Sequence, residues 1–361
     1  MTIRFEVVEQ LDDATREAWR RWSERSATPF GMPAFFDAWR AAFRADKATF
    51  LIVGREDNAL RFLAPMWHHR GDPNTWCSLG ALRADYTDVL VESDAVAAAF
   101  WRWLATRAPC RSAKLPLLPS ASPLVRTAPP SSSSRARRLL ALARTLARGG
   151  RPRFVRTHVH HDHPFADRSF IAEVAPRLQS RDTKRKLNVL KRDGELVYEV
   201  VRGARALSPL LPTFFDMHIA NFAGTARTSQ FLAAHERAFY EQLVAQPELD
   251  GIVYMDVLRV GARPVAMHLG FQHRRCVYWY KPAFDLAMAK GSPGRVLLAH
   301  LFARAAAEDC ERVDLLKGIE PYKSEWANQC HDTSSTTLVE LGVSYVLDRL
   351  LATTGTMRSP R

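Results

Sequence analysis

The chain has 361 residues, more than one hydrophobic core ordinarily serves, and this length suits two domains of about 150–200 residues. A hydrophobic fraction of 47% with 25% charged residues is typical of a folded globular protein and excludes a disordered chain. The net charge of +13 arises in one segment, because residues 95–161 hold thirteen Lys or Arg and no acidic residue, while the rest is balanced. This uneven distribution excludes a polycation of the histone type.

The first residues are charged and amphipathic, and no run approaches the length of a membrane span, so the sequence predicts neither a secretory signal nor a transmembrane helix. Five scattered cysteines, without a CxxC pair, are typical of thiols in a reducing cytosol. We therefore expect a cytoplasmic protein without a structural zinc site.

The first half begins with two predicted helices, one from Asp12 to Ser26 and one from Pro33, where proline suits the first turn. Four branched or aromatic runs then indicate strands: ATFLIVGRE, ALRFLAPMWHH, TWCSLG and YTDVLVE. Asp57-Asn58 is a predicted turn between the first two of these strands, and a helix is predicted over Asp94–Arg107.

A connector rich in Pro and Ser follows over residues 116–134. It leads into a predicted amphipathic helix with a basic face, SRARRLLALARTLA, which ends at Gly149-Gly150.

The second half alternates predicted helices and strands. The helices are Ile171–Arg192, Leu207–Asn221, Ser229–Ala245 and Gly294–Asp309. The strands are ELVYEVV, DGIVYMDVLRV, RPVAMHLGFQH, CVYWYKPAF, RVDLL and a last one near Ser335–Leu341. This order predicts an α/β fold (an α+β mixed sheet) with helices on the faces of the sheet.

The turn between CVYWYKPAF and the next helix is the strongest local motif. Its residues, Lys290-Gly291-Ser292-Pro293-Gly294-Arg295, place glycines and two cations beside a helix N-terminus, which suits a pyrophosphate. The spacing matches neither a Walker A nor a GxGxxG motif. An ordinary tight turn is the alternative.

A second motif follows the strand RVDLL, where Glu320, Tyr322 and Lys323 crowd into one loop. Polar residues beyond the carboxyl end of a strand commonly line the crevice of an α/β sheet. Glu320 is a candidate general base, Tyr322 a general acid and Lys323 a stabiliser of a developing oxyanion. A solvated loop closed by a Lys–Glu pair is the alternative.

Two further groups of residues invite interpretation. His268 lies in the middle of a strand, on the face opposite Met267 and Leu269, and is either a second candidate base or a core histidine with satisfied hydrogen bonds. The histidines of HVHHDH divide between two faces of a strand, so we expect no metal site there. They are His158, His160, His161 and His163.

The segments SPGRVLL and VDLLKGIEPYK resemble signatures of GNAT-type acyltransferases grouped with the cellulose-biosynthesis protein CelD, a branch of the Fem-like transferases. The resemblance extends to RDTKRKLNVLKRDGEL, FFDMHIANF and the strand pair RPVAMHLGFQHRRCVYWYKPAFD. In the first half it includes PFGMPAFFDAW, FLAPMWHH and LGALRADYTDVLV.

This resemblance implies two tandem GNAT-like domains, residues 1–115 and 154–361, joined by the connector 116–153. It also implies acyl-CoA, with acetyl-CoA as the first choice, as donor, and its pyrophosphate would contact Ser292, Gly294, Arg295 and Val296, with Lys290 adding charge. Pro293 departs from the usual spacing and removes one backbone donor. The acceptor would contact Asp85, Tyr86 and Asp88, which equally suit turn capping, and Tyr280.

The predicted function is transfer of an acyl group to an amine of a small molecule, saccharide or cell-envelope precursor. Fem-like relatives use aminoacyl-tRNA, and the Tyr322-Lys323 pair also matches their signature, so tRNA is an alternative donor. A non-catalytic scaffold for polysaccharide synthesis, with its basic helix on anionic lipid, is the third hypothesis.

Overall fold

The apolar runs form thirteen strands in the computed structural model, which describes residues 3–26, 28–79, 83–87, 89–129 and 153–340. The strands are β1 Arg4–Val8, β2 Lys47–Glu56, β3 Ala59–His69, β4 Asp72–Ser78, β5 Leu90–Val91, β6 Ser112–Pro119, β7 Arg153–Asp167, β8 Leu196–Arg202, β9 Val253–Val260, β10 Arg263–His273, β11 Cys276–Phe284, β12 Arg312–Asp314 and β13 Gln329–Glu340.

The described helices lie before, between and after these strands. They are α1 Asp13–Ser23, α2 Pro33–Phe43, α3 Asp94–Thr106, α4 Pro123–Arg126, α5 Arg168–Val174, α6 Arg181–Leu190, α7 Ala204–Leu207, α8 Leu211–Phe222, α9 Ala234–Val244 and α10 Pro293–Ala307. Short 3₁₀ helices are Pro29–Gly31, Ala175–Gln179, Lys191–Asp193, Ser208–Leu210, Gln230–Leu232, Pro247–Leu249, Leu286–Gly291 and Pro321–Glu325.

The chain divides into two units. The first unit comprises residues 1–11, 48–159 and 334–361, and the second unit comprises residues 12–47 and 160–333. Helices α1 and α2, which the sequence places among first-half elements, therefore belong with the elements of the second half.

The first unit contains neighbouring strands in the order β1-β2-β3-β4-β6. Strands β2 and β3 meet in a two-residue hairpin at Asp57 and Asn58, whose φ angles of 48° and 64° suit such a turn, as predicted. Strand β6 returns parallel to β4 after α3. The rings of Phe62 and Phe100 stack at 4.4 Å and attach α3 to the sheet.

The second unit orders its strands β7-β12-β11-β10-β9-β8. Strands β9, β10 and β11 form an antiparallel meander, and β12 returns parallel to β11 after α10. The first unit has the same succession of three strands, a helix and a parallel strand. This mixed sheet with helices confirms the predicted α/β fold class, with the same succession of elements in both parts of the chain.

Helices cover both faces of the sheet in the second unit. On one face, Leu297, Leu301 and Phe302 of α10 pack in a buried cluster with Val277 and Trp279. On the other face, Phe30 contacts Phe271 and Tyr280, with ring centroids 5.3 and 5.9 Å away, and Phe35 contacts Phe239 at 5.3 Å. The sheet is therefore buried on both sides, which explains the long apolar runs in β9–β11.

The predicted helix over Ile171–Arg192 is wrong as a single element. The chain forms α5, then a 3₁₀ helix with Pro176 near its start, and a new helix capped by Ser180, whose side chain accepts from the Thr183 N–H at 3.2 Å. Proline disfavours a continuous helix because it lacks an N–H and clashes with the preceding turn.

The predicted basic amphipathic helix of the connector lies outside the described residues. Among the helices that the structure does describe, none is long and apolar enough to cross a membrane.

Candidate active site

The two sequence motifs lie at the same edge of the second unit's sheet. Strand β11 runs parallel to β12 and pairs with it only from Cys276 to Tyr278, opposite Arg312–Asp314. Beyond that point β11 continues to Phe284, whereas β12 ends. The segments that leave both strands therefore start from their carboxyl ends, the usual place for a site in an α/β sheet.

The loop after β12 is shaped by its backbone. Asp314 accepts a hydrogen bond from the Leu316 N–H at 2.8 Å, and Leu316 has a φ of 59°. Gly318 has a φ of 121° and donates its N–H to the Asp162 carbonyl at 2.7 Å. The loop then enters the 3₁₀ helix Pro321–Glu325, with Glu320 at its N-cap.

Lys323 is buried beneath this loop, with 5% of its surface exposed. Its Nζ donates to the carbonyls of Leu316 and Lys317, at 3.2 and 2.7 Å, and lies 3.1 Å from Glu320 Oε2. The two carbonyls are hydrogen-bond acceptors, and the Glu320 carboxylate forms an ion pair with the ammonium. Lys323 thus holds the loop closed, and its role as a stabiliser of a developing oxyanion stays a prediction.

Glu320 is partly exposed and carries a stable negative charge. Its Oε1 lies 3.4 Å from Nη1 of Arg227, and its Oε2 is the atom that faces Lys323. Burial opposes ionisation, but a hydrogen bond from its own backbone N–H and the two cations outweigh it and lower the pKa of Glu320. The side chain is a carboxylate at neutral pH.

Gly318 leaves the space that the Glu320 carboxylate occupies. A Cβ at position 318 would lie 2.3 Å from Glu320 Oε2, and the positive φ is unfavourable for any other residue. We expect Gly318→Ala to lower the free energy of unfolding by about 1–3 kcal/mol, because it adds strain and displaces the carboxylate. Urea denaturation measures the change, and Gly71→Ala, with nothing within 4 Å of the added carbon, is the control. Equal stability of the two variants would contradict the prediction.

Tyr322 presents a protonated hydroxyl. Its oxygen accepts a hydrogen bond from Trp279 Nε1 at 3.1 Å. Burial raises the pKa of Tyr322 to about 12, although the Trp279 hydrogen bond opposes the rise. No acceptor for the Tyr322 proton is found among the residues that the structure describes, so the proton is available to a substrate.

His268 is fully buried, at 0% exposure, and both ring nitrogens are bonded. Nδ1 lies 2.8 Å from Asp256 Oδ2, and Nε2 accepts the Tyr280 N–H at 3.0 Å. Burial lowers the pKa of His268 despite the neighbouring carboxylate. The arrangement is that of a core histidine with satisfied hydrogen bonds, the alternative considered for it above, and its lone pair does not reach a substrate.

The turn before α10 uses most of its own backbone donors. The Ser292 N–H donates to Ala289 at 2.9 Å, and the N–H groups of Arg295 and Val296 donate to Ser292 at 3.0 and 3.1 Å. Within the described residues, the N–H of Gly294 has no such partner. The predicted pyrophosphate contact therefore has one free backbone donor in place of four.

The cations of this turn differ in their surroundings. Arg295 forms a double ion pair with Glu325, with Nη1 3.2 Å from Oε1, so its charge is already matched. Lys290 is exposed. Gly291 packs on Leu190 so closely that a Cβ would lie 2.4 Å from Leu190 Cδ2, which brings the basic helix α6 against the turn.

Of the four predicted acceptor residues, three lie within the described part of the chain. Tyr280 is buried on the other face of the sheet, with its hydroxyl 2.9 Å from that of Tyr240. Asp85 and Tyr86 belong to the first unit, where Tyr86 is buried. Asp88 lies outside the described residues.

Sequence reasoning missed several residues around the site. Asn221 bonds through its side-chain amide to both backbone groups of Phe284, with the Phe284 N–H 2.8 Å from Oδ1, and thereby completes the end of β11. Nothing in the sequence marks Asn221, Arg227 or Glu325 for these contacts. Asp256 was detectable, since it is a lone acid in an apolar strand.

Residues 177–324 match the family model of the acetyltransferase (GNAT) domain. The match spans the elements from α6 to the 3₁₀ helix that holds Tyr322 and Lys323, so this part of the chain is similar to GNAT acetyltransferase domains. A search of curated proteins by sequence finds no match.

Solved structures resemble nearly the whole chain. FemX is 9% identical, with 96% of this chain and 99% of that chain covered and a TM-score of 0.56. L-PGS from Bacillus licheniformis is 10% identical, with 98% and 100% covered and a TM-score of 0.52. The C-terminal domain of a protein described as a lysylphosphatidylglycerol synthetase from Agrobacterium fabrum is 14% identical, with 95% and 97% covered and a TM-score of 0.50. Such likeness shows a shared fold.

Proposed function

We propose that the chain is an N-acyltransferase that acts at the carboxyl ends of β11 and β12, on an amine of a small molecule, saccharide or cell-envelope precursor. The carrying observation is the pair formed by Glu320 and Tyr322. Their surroundings move the two pKa values apart, lowering that of the carboxyl and raising that of the phenol. Such pairs are typical of acid–base sites.

The reaction needs two proton transfers, and the two side chains supply them. The amine nitrogen attacks the acyl carbonyl carbon, and Glu320 accepts the proton of the ammonium once the carbon–nitrogen bond has formed. The bond from the carbonyl to the leaving group then breaks, and Tyr322 donates its proton to the departing atom. Exchange with solvent returns a proton from Glu320 to Tyr322. Each step is ordinary general acid–base catalysis.

Acyl-CoA is the donor we propose first, because the match is to an acetyltransferase domain. Its pyrophosphate would contact the Gly294 N–H, exposed Lys290 and Arg295. Binding would draw Arg295 away from Glu325, which competes for the same guanidinium. This competition predicts how a charge change at position 325 alters affinity.

We expect Glu325→Gln to tighten CoA binding by about 2–5-fold, since an exposed ion pair is worth up to about 1 kcal/mol, and Arg295→Gln to weaken it. Isothermal titration calorimetry with CoA and acetyl-CoA measures both changes. Arg168→Gln, which breaks the exposed pair with Asp309, is the matched control. Absence of binding at millimolar CoA would eliminate this donor, and an unchanged affinity in both variants would eliminate the contact.

Aminoacyl-tRNA is a second candidate donor, favoured by the turn before α10. In that turn, three of the four backbone N–H groups predicted to bind phosphate already donate to carbonyls of the turn itself. The adjoining helix α6 exposes Arg181, Lys184 and Arg185, whose cations can contact RNA phosphates. Phosphate contacts of this kind weaken steeply with salt.

We expect tRNA binding, if it serves the reaction, to fall linearly with salt on a double-logarithmic plot, and Lys184→Glu to reduce the slope by about one. Filter binding between 50 and 300 mM salt measures both quantities. Exposed Lys114, in the first unit, provides the control Lys114→Glu. Binding that is absent, or that does not respond to salt, would leave acyl-CoA as the donor.

A further inference from the structure

A β-bulge interrupts the pairing of β10 and β11 beside the site. Leu269 pairs with Lys281, whereas Phe271 pairs with Tyr278, so Gly270 faces two residues, Trp279 and Tyr280. A bulge leaves one backbone donor without its regular strand partner and redirects the neighbouring side chains. Here the Tyr280 N–H donates to a side chain, His268 Nε2, at 3.0 Å.

The imidazole that accepts this bond is held in one tautomer. Since Nε2 accepts from Tyr280, the proton of the neutral ring lies on Nδ1 and is donated to Asp256 Oδ2 at 2.8 Å. Asp256 is held in turn, because its other oxygen accepts from the Tyr198 hydroxyl at 2.7 Å and lies 3.6 Å from the Arg304 guanidinium. These contacts join β8, β9, β10 and α10.

The space for the ring is provided by Gly270. A Cβ there would lie 2.3 Å from His268 Cε1 and 2.8 Å from Nε2. The bulge, the glycine and the imidazole are thus parts of one arrangement, in which removal of the ring would leave both a cavity and an unbonded N–H.

The ring also touches the residue that orients Tyr322. His268 stacks on Trp279 at 4.1 Å between ring centroids, with an interplanar angle of 24°. Trp279 Nε1 donates to the Tyr322 hydroxyl at 3.1 Å. A continuous set of contacts therefore runs from Asp256 through His268 and Trp279 to Tyr322.

We propose that His268, held by Asp256, is a positioning residue that sets the β11 bulge and, through Trp279, aims the Tyr322 hydroxyl at the leaving group. The role of the hydroxyl in this inference rests on the proposed function. The positioning itself is a property of the fold and is measurable without turnover.

Two measurements on the folded protein read the positioning directly. Nitrogen-15 NMR of the wild-type protein is expected to show His268 as the Nδ1–H tautomer at neutral pH. Fluorine NMR of protein labelled with 3-fluorotyrosine, with the Tyr322 signal assigned by its loss in Tyr322→Phe, is expected to show that signal moving in both His268→Phe and Trp279→Phe. An Nε2–H tautomer, or a Tyr322 signal that does not move in His268→Phe, would overturn the proposal.

Kinetics then distinguish positioning from general destabilisation. His268→Phe and Trp279→Phe should each lower kcat at least tenfold with KM for the donor within twofold, since both leave the binding turn intact. His218→Phe replaces another buried histidine of the same unit, bonded to Ser229 at 2.9 Å, and should leave kcat and the Tyr322 signal unchanged. If His268→Phe does not fold, the tautomer of the wild-type ring still tests how Asp256 holds His268, and Trp279→Phe, which retains a stacking ring, tests the contact from Trp279 to Tyr322.

These outcomes separate the two proposals. A moved Tyr322 signal with normal kcat would show that the contacts position Tyr322 but that its hydroxyl is not the acid, which overturns the catalytic half of the inference. Absence of acyl transfer by the wild-type protein with either donor would count against the proposed function, and the tautomer and the fluorine signal would still decide the positioning.

Discussion

Replacing Lys323 by Met is expected to lower the free energy of unfolding by about 2–4 kcal/mol and to abolish most of the proposed acyl-transfer activity. The substitution leaves the carbonyls of Leu316 and Lys317 without their buried donor, at about 1–3 kcal/mol for an unsatisfied group, and removes the cation that faces Glu320. The contribution of the ion pair is small because Glu320 is 35% exposed. Urea denaturation measures the loss.

Lys317→Met is the matched control for this prediction. Lys317 lies in the same loop but is exposed, so the same substitution should change stability by no more than about 0.5 kcal/mol. Similar destabilisation by both variants would mean that the loop tolerates no apolar side chain and that the buried ammonium has no special part in closing it.

Replacing Glu320 by Gln is expected to lower kcat by about 10²–10⁴-fold, because the amide cannot accept the proton of the attacking amine. The fold should survive, since the amide retains the size of the carboxylate and an oxygen for Arg227. Steady-state kinetics with the donor that binds measure kcat, and Glu173→Gln, an exposed carboxylate on α5, is the control. A kcat within threefold of the wild-type value would remove Glu320 from the mechanism.

The pH dependence of kcat/KM tests the same assignment. Because the folded-state pKa of Glu320 lies below its ordinary value of 4.5, the carboxylate persists as pH falls past that value and is lost only through the lower folded-state pKa. Protonation of Glu320 should therefore not lower the activity until the pH is below 4.5. On the alkaline side Tyr322 keeps its proton until about pH 12. An acid limb above pH 5 that disappears in Glu320→Gln would contradict this account.

The strand and helix succession around the site was predictable because its signals are local. Pro33 marks the start of α2, and Asp57-Asn58 marks a hairpin turn, as the sequence indicates. Helix α10 begins at Pro293, one residue from the predicted start. Long apolar and aromatic runs predicted β9, β10 and β11, because a sheet that is buried on both faces imposes that pattern.

The parts played by Lys323 and His268 were not predictable from spacing. The sequence shows that Glu320 and Lys323 are three residues apart, but the backbone angles at Leu316 and Gly318 bring two carbonyls over the ammonium. In the same way, the pairing of His268 with Asp256 depends on the register of two strands. Both roles are set by long-range geometry, which a local pattern does not contain.

The assignment of α1 and α2 to the second unit is likewise set by long-range geometry. The aromatic face of α2 is evident in the sequence, but its partners are chosen by the whole fold. Phe35 of α2 contacts Phe239, and Phe30, in the 3₁₀ helix just before α2, contacts Phe271 and Tyr280. The predicted division into residues 1–115 and 154–361 keeps both helices with the first half, because the local sequence carries no information on which distant surface an apolar helix covers.

This discontinuity has a consequence for how the protein is made. Ser26 accepts a hydrogen bond from His273, which lies 247 positions later, so the first helices leave the ribosome long before the strands they cover exist. At about 5–20 residues per second, the interval is roughly 10–50 s. During translation the rings of Phe30, Phe35 and Trp39 form an exposed hydrophobic surface that is prone to aggregation. Nascent chains of this protein are therefore expected to need chaperones that bind this surface until β11 has emerged.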